Sequence, residues 1–179
     1  MNHYFLIASL PTLILDEKLP MLSEEFLETC EESSVDLDTT AIRYILDEEP
    51  EKADHPFIQK WLQGEIELRN AIARSRAAKT NVDAEPFLKD TESFDSYTEK
   101  FVPEAMNQPN PLERELALDR FRWKIIEDLA LFEPFGISAV FAYALKFKLV
   151  KRWSELKEEK GEAVVQTFVK QVLTEDDHE

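Results

Sequence analysis

The chain has 179 residues, 44% apolar and 32% charged, with 37 acidic and 21 basic side chains giving a net charge of −16. That length and apolar content suit one helical domain with a filled core, whereas the negative balance disfavours a general nucleic-acid binder, which needs a basic footprint. A single cysteine, Cys30, excludes an internal disulfide and points to a reducing compartment, and only 3 glycines leave little material for hairpins or phosphate-cradling loops.

The first stretch, HYFLIASLPTLIL from His3, is apolar without a helical period, and Pro11 restricts Leu10 to an extended shape. It reads as a short extended segment, or one helical turn, packed on the core. It lacks a basic leader and meets Asp16, Glu17 and Lys18, so it makes a poor signal peptide. No apolar run approaches the roughly 20 residues of a membrane span, and the expected location is cytoplasmic. Ser23 is a candidate N-cap, with Glu24 and Glu25 in the first turn and Phe26, Leu27 and Cys30 facing inward. Asp38 is a candidate cap for a second helix carrying Ile42, Ile45 and Leu46. The acidic stretch Glu48 to Asp54 forms a connection around Pro50.

Pro56 sits at a favoured first helical position and opens a long helix. Its apolar stripe is Ile58, Trp61, Leu62, Ile66 or Leu68, and Ile72, with Gly64 marking a close helix contact or a bend. Residues 81–93 are polar and read as a linker, which leaves either a single domain over 1–179 or subdomains 1–80 and 94–174. A shorter helix is expected over Phe94 to Met106. Asn110 and Pro111 supply the cap and first turn of the next helix, with Leu118, Phe121, Ile125, Leu129 and Phe132 at spacings of three and four and a Lys124–Asp128 pair. Pro134 and Gly136 end it. Ser138 is a candidate cap for a helix to about Leu156. Gly161 breaks the chain before a final short helix bearing Ala163, Val164, Phe168 and Val172, and the last residues, EDDHE, are read as frayed. The fold class is therefore all-α, a bundle of about six or seven helices.

Reactive chemistry is sparse. His3, His55 and His178 are scattered, and the Glu51–His55 spacing is flanked by prolines with no second such unit, so no metal ligand set is assigned. Cys30 lies among acids on an inward face, which suits a structural thiol. There is no nucleophile elbow, P-loop or dinucleotide fingerprint. A catalytic role, a metal and a cofactor are not expected. Most aromatics, Trp61, Trp123 and Trp153 among them, read as core, with room for one interface anchor.

Two basic helix faces stand out in so acidic a chain. One, on the long helix, has Glu65, Arg69 and Arg76 on one side, with Arg74 and Lys79 near its end, and Glu65 can pair with Arg69 at i,i+4. The other carries Lys146, Lys148, Lys151 and Arg152 after the apolar run Ile137–Leu145. Each is open to two readings: internal salt bridging with cations near a helix C-terminus, or a partner-docking face whose candidates are Arg69, Arg74, Arg76, Lys146, Lys148 and Arg152.

Nearly the whole chain resembles an uncharacterised bacterial family encoded beside V-type (A/V-type) ATPase genes. The resemblance is carried by Tyr4-Phe5-Leu6-Ile7-Ala8-Ser9-Leu10-Pro11, Trp61-Leu62, Glu65, Leu68-Arg69-Asn70 and Arg74-Ser75-Arg76-Ala77. It continues through Asn110-Pro111-Leu112-Glu113-Arg114-Glu115, Leu118-Asp119, Trp123, Phe135, Ala142-Tyr143-Ala144-Leu145-Lys146, Arg152-Trp153 and Glu159-Lys160-Gly161. That family is in turn similar to the C/d-type coupling subunit of V/A-type ATPases. The likeness lies in Glu65, Asn70 and Arg74 or Arg76, and in Pro134-Phe135-Gly136-Ile137 leading to the basic helix. The C/d-type protein is a longer, all-helical funnel that joins the membrane rotor ring to the central shaft and catalyses nothing. The resemblance implies a lobe of that fold. It also implies a non-catalytic cytoplasmic subunit or accessory protein, reaching the inner membrane only through the complex, with shaft and ring subunits as partners and ion transport as the setting. The alternative is a free-standing acidic helical adaptor that binds a basic protein partner.

Overall fold

Residues 3–33, 37, 39–91 and 96–176 are described by a computed structural model, with side chains as far as Lys157. Within them the chain forms seven α-helices and no strand: α1 Tyr4–Ser9, α2 Ser23–Ser33, α3 Thr39–Leu46, α4 Pro56–Thr80, α5 Ser96–Met106, α6 Pro111–Ala130 and α7 Ile137–Asp176. Short 3-10 turns at Pro50–Lys52 and Glu85–Phe87 sit in the connections before and after α4.

The two proline-led helices start as their sequences dictate. Pro56 and Pro111 each take a first-turn position, where a missing N–H costs nothing. The His55 Nδ1 accepts from Phe57 N–H at 3.2 Å and the Asn110 Oδ1 from Leu112 N–H at 2.9 Å. His55 is thus an N-cap. Three tight turns need a left-handed residue, and Asp16, Glu48 and Asn81 supply it in place of glycine. Asn81 closes α4 with its N–H on Ala77 O.

Several expectations shift in the structure. The N-terminal stretch is the helical-turn alternative, α1, tied to the start of α7 by His3 N–H donating to Phe135 O at 2.7 Å. α2 begins at Ser23 itself, and the Glu25 carboxylate reaches back to Leu22 N–H at 2.8 Å, half of a capping box. Ser138 does not cap α7. Its hydroxyl donates to the Glu133 carboxylate at 2.7 Å, inside the first turn. Phe132 falls beyond α6 and is 89% exposed, so the inward stripe stops short of it. Lys124 lies over the Tyr97 ring at 4.7 Å. α7 runs unbroken through Gly161, so the separate final helix is absent. Asp38 and Phe94 lie outside the described residues, as do the side chains of Ala163, Val164, Phe168 and Val172.

Apolar packing divides into two clusters. The larger holds Phe26, Ile42, Ile45, Ile58, Phe141 and Phe147, from α2, α3, the start of α4 and the first half of α7. The smaller holds Leu68, Ile72, Val102, Leu118 and Phe121, from the far half of α4 with α5 and α6, and includes a Phe101–Phe121 stack with centroids 4.5 Å apart. α4, about 37 Å long at 1.5 Å per residue, serves both clusters, as does α6. Along α4 and α6 the strip between the clusters is where charge is buried.

Candidate docking cleft

Asp119 is fully buried. Its carboxylate would be costly there without donors, and it has two, with a further cation close by. The Trp153 Nε1–H donates to Oδ2 at 2.8 Å, the Arg122 guanidinium to Oδ1 at 2.8 Å, and Arg152 stands 3.5 Å from Oδ2. Arg122 also donates through Nε to the buried Glu65 at 2.7 Å, and Arg152 to Glu115 at 2.8 Å. This chain of charges links α4, α6 and α7. Burial alone lowers the Arg122 pKa, but Glu65 and Asp119 outweigh it and hold the guanidinium above its ordinary value.

Over these charges opens a cleft of about 790 Å³. Trp61, Leu62, Ile66, Leu145 and Leu149 give it an apolar floor, and Arg69, Lys148 and Arg152 stand on its wall. Glu48 and Glu51 line the end nearest the start of α4. Lys148 is half-buried and has no hydrogen bond or ion pair among the described residues. Burial lowers its pKa, opposed by Glu48, Glu65 and Glu51.

Three of the six residues expected at a docking face therefore meet here: Arg69, Lys148 and Arg152. The other three do not. Arg74 is engaged by Glu99 of α5. Arg76 is exposed beside a separate hollow of about 420 Å³ formed with Arg114 and Lys79. Lys146 points away from the cleft, donating to Glu127 at 2.8 Å and lying 4.7 Å over the Trp123 ring. The linear basic run of α7 is split because residues 146 and 148 lie on nearly opposite sides of a helix. The expected Glu65–Arg69 pair is long, 3.8 Å, because Arg122 takes the Glu65 carboxylate.

The Glu65, Asn70, Arg74 series resolves into three separate anchors. Asn70 clamps the backbone of Lys89, donating to its O at 2.8 Å and accepting from its N at 2.9 Å. Sequence reasoning misses Asp119 and Arg122 as functional residues, although a signal exists. Asp119, Arg122 and Ile126 share one face at i, i+3 and i+7, as Glu65 does with Leu68 and Ile72. An acid in an apolar stripe signals a buried partner.

Fold and cleft together define an all-helical body with a charged, apolar-floored groove; among the described residues no helix is long and apolar enough to cross a membrane, and no group of His, Cys, Asp and Glu could hold a metal ion. A family model described as a protein of unknown function (DUF2764) matches residues 91–176, which carry α5, α6 and α7 and hence one wall of the cleft. No curated protein and no solved structure matches the chain.

Proposed function

We propose that the protein is a non-catalytic helical subunit or accessory factor of a bacterial V-type ATPase, docking to its central-shaft and rotor-ring subunits. The observation that carries this reading is the cleft, where Arg69, Lys148 and Arg152 converge over a buried ion chain. The resemblance to the ATPase coupling protein supplies the setting. A body whose helices are cross-linked by buried charge and packed apolar clusters is stiff, which suits carrying torque or fixing assembly. Contact with the inner membrane would be indirect, through the complex.

Affinity purification of the tagged chain from gently solubilised membranes tests it. Recovery of catalytic, shaft and ring subunits in fixed ratio is the expected result. Recovery of the chain alone, or with an unrelated basic protein, would overturn the reading in favour of an acidic adaptor. That second reading draws on Phe5 and Phe132, 85% and 89% exposed, as candidate anchors outside the cleft. Charge reversal belongs at Arg69 and Lys148. At Arg152 it would set a third acid beside Asp119 and Glu115 and strain the fold.

A further inference from the structure

Among the described residues, three cations lining the cleft have no carboxylate at hydrogen-bond distance: Lys148, Arg69 and the exposed Lys89. Arg122 and Arg152 are each engaged by two carboxylates. Lys148 has no hydrogen bond or ion pair among the described residues, and Arg69, 63% exposed, has only the 3.8 Å approach to Glu65. Glu48, Glu65 and Glu51 act on the Lys148 ammonium without closing to ion-pair distance, which leaves its donors open to a carboxylate that does. Between these cations lies apolar surface, Leu62, Ile66 and Leu149. At about 790 Å³ the cleft is far larger than one carboxylate, and its walls are helices, the geometry of helix-in-groove recognition. Its lining charge is mixed: Glu48 and Glu51 lie where α4 begins, Arg69 lies about 20 Å further along that helix, and Glu155 of α7 adds a further acid.

We propose that this cleft receives an amphipathic helix of a protein partner, its apolar stripe on Leu62, Ile66 and Leu149 and a carboxylate on its flank taken by Lys148 and Arg69. Glu48 and Glu51 accept a basic side chain at the helix's other end. A nucleic acid is refused by the net charge of −16, and a uniformly basic segment would leave Lys148 facing like charge. The inference rests on the reading of this cleft as a docking face and adds the chemistry of what docks.

The test uses blocked, labelled peptides of about 16 residues, long enough to be helical when docked. All share one leucine stripe and one lysine near the N-terminus; the flank toward the C-terminus carries Glu in one peptide, Gln in a second and Lys in a third. Binding to the full chain is read by fluorescence anisotropy. The Glu peptide is expected to bind at least about tenfold more tightly than the Gln peptide, and the Lys peptide more weakly still. Lys148→Gln and Arg69→Gln should each narrow the difference between the Glu and Gln peptides, and the double variant should abolish it. Equal binding of the Glu and Gln peptides to the wild type overturns the proposal, as do unchanged selectivity in both variants, tightest binding by the Lys peptide, or no saturable binding at all. Selective peptide binding without recovery of ATPase subunits from membranes would overturn the ATPase reading alone. Recovery of those subunits without peptide selectivity would overturn this inference alone.

Discussion

Asp119 is the residue on which most of the buried polar order depends. It accepts from Trp153 and Arg122 and lies near Arg152, so its loss strands an indole N–H and takes from each of two guanidinium groups one of its two carboxylates. Removing one member of a buried charge set costs about 3–5 kcal/mol. Asp119→Ala should therefore lower Tm by about 10 °C and shift the Trp153 emission to the red, measured by urea and thermal unfolding followed by fluorescence. Cys30 makes a contrasting case. Burial, with Glu31 beside it, pushes its thiol from 9.0 up to about 12. Below pH 9 both folded and unfolded chains keep the proton, and the stability is whole. Between about 9 and 12 the unfolded chain releases it and the folded chain does not, so stability falls as pH rises through that window. Cys30→Ala should flatten this part of the alkaline decline in urea midpoints. In the wild type the thiol should react with a disulfide reagent at pH 8 only as fast as the chain unfolds.

At the scale of the element, Gly64 and Gly161 are both open to structural readings from sequence, and neither role is needed. A Cβ at Gly64 would meet Ile125 Cγ2 at 3.6 Å, an ordinary contact. Gly64→Ala should then stabilise the protein by up to about 1 kcal/mol, the helix-propensity difference, measured by urea unfolding; a loss of stability would show that α4 and α6 approach more closely than this. Asn70 is the opposite kind of residue, since its side chain pairs with both backbone groups of Lys89. Asn70→Ala should leave α4 intact but speed proteolysis within residues 81–91, read as the rate of the first cleavage. Helix starts at Pro56 and Pro111 are legible in the sequence because proline and its neighbouring cap act locally. The continuity of α7 through Gly161 is not, because an isolated glycine in a helix costs about 1 kcal/mol and its neighbours override it. The basic faces are legible as charge but not as geometry. Which cation enters the cleft depends on where α6 sets Glu115, Asp119 and Glu127, and the spacing within α7 alone does not carry that information.

For the whole molecule, the net charge of −16 sets the background for every ion pair. Such an excess repels itself in the compact state. Surface pairs such as Arg43–Glu31 and Lys52–Glu49 have both partners about half exposed, and pairs of that kind contribute little. The Asp119–Arg122–Glu65 chain is buried and feels salt weakly. Raising ionic strength from about 10 mM to about 150 mM shortens the screening length from roughly 30 Å to roughly 8 Å, so it should relieve the repulsion while removing little attraction. Tm should therefore rise by a few degrees across that range, and the cost of Asp119→Ala should be the same at both ends. A Tm that falls with salt would mean that the exposed pairs outweigh the repulsion. An Asp119→Ala cost that shrinks with salt would mean that water reaches the ion chain. The same screening bears on docking: because distant acids are screened and cleft cations a few ångströms away are not, binding of an acidic helix should weaken less with salt than a surface-only attraction would.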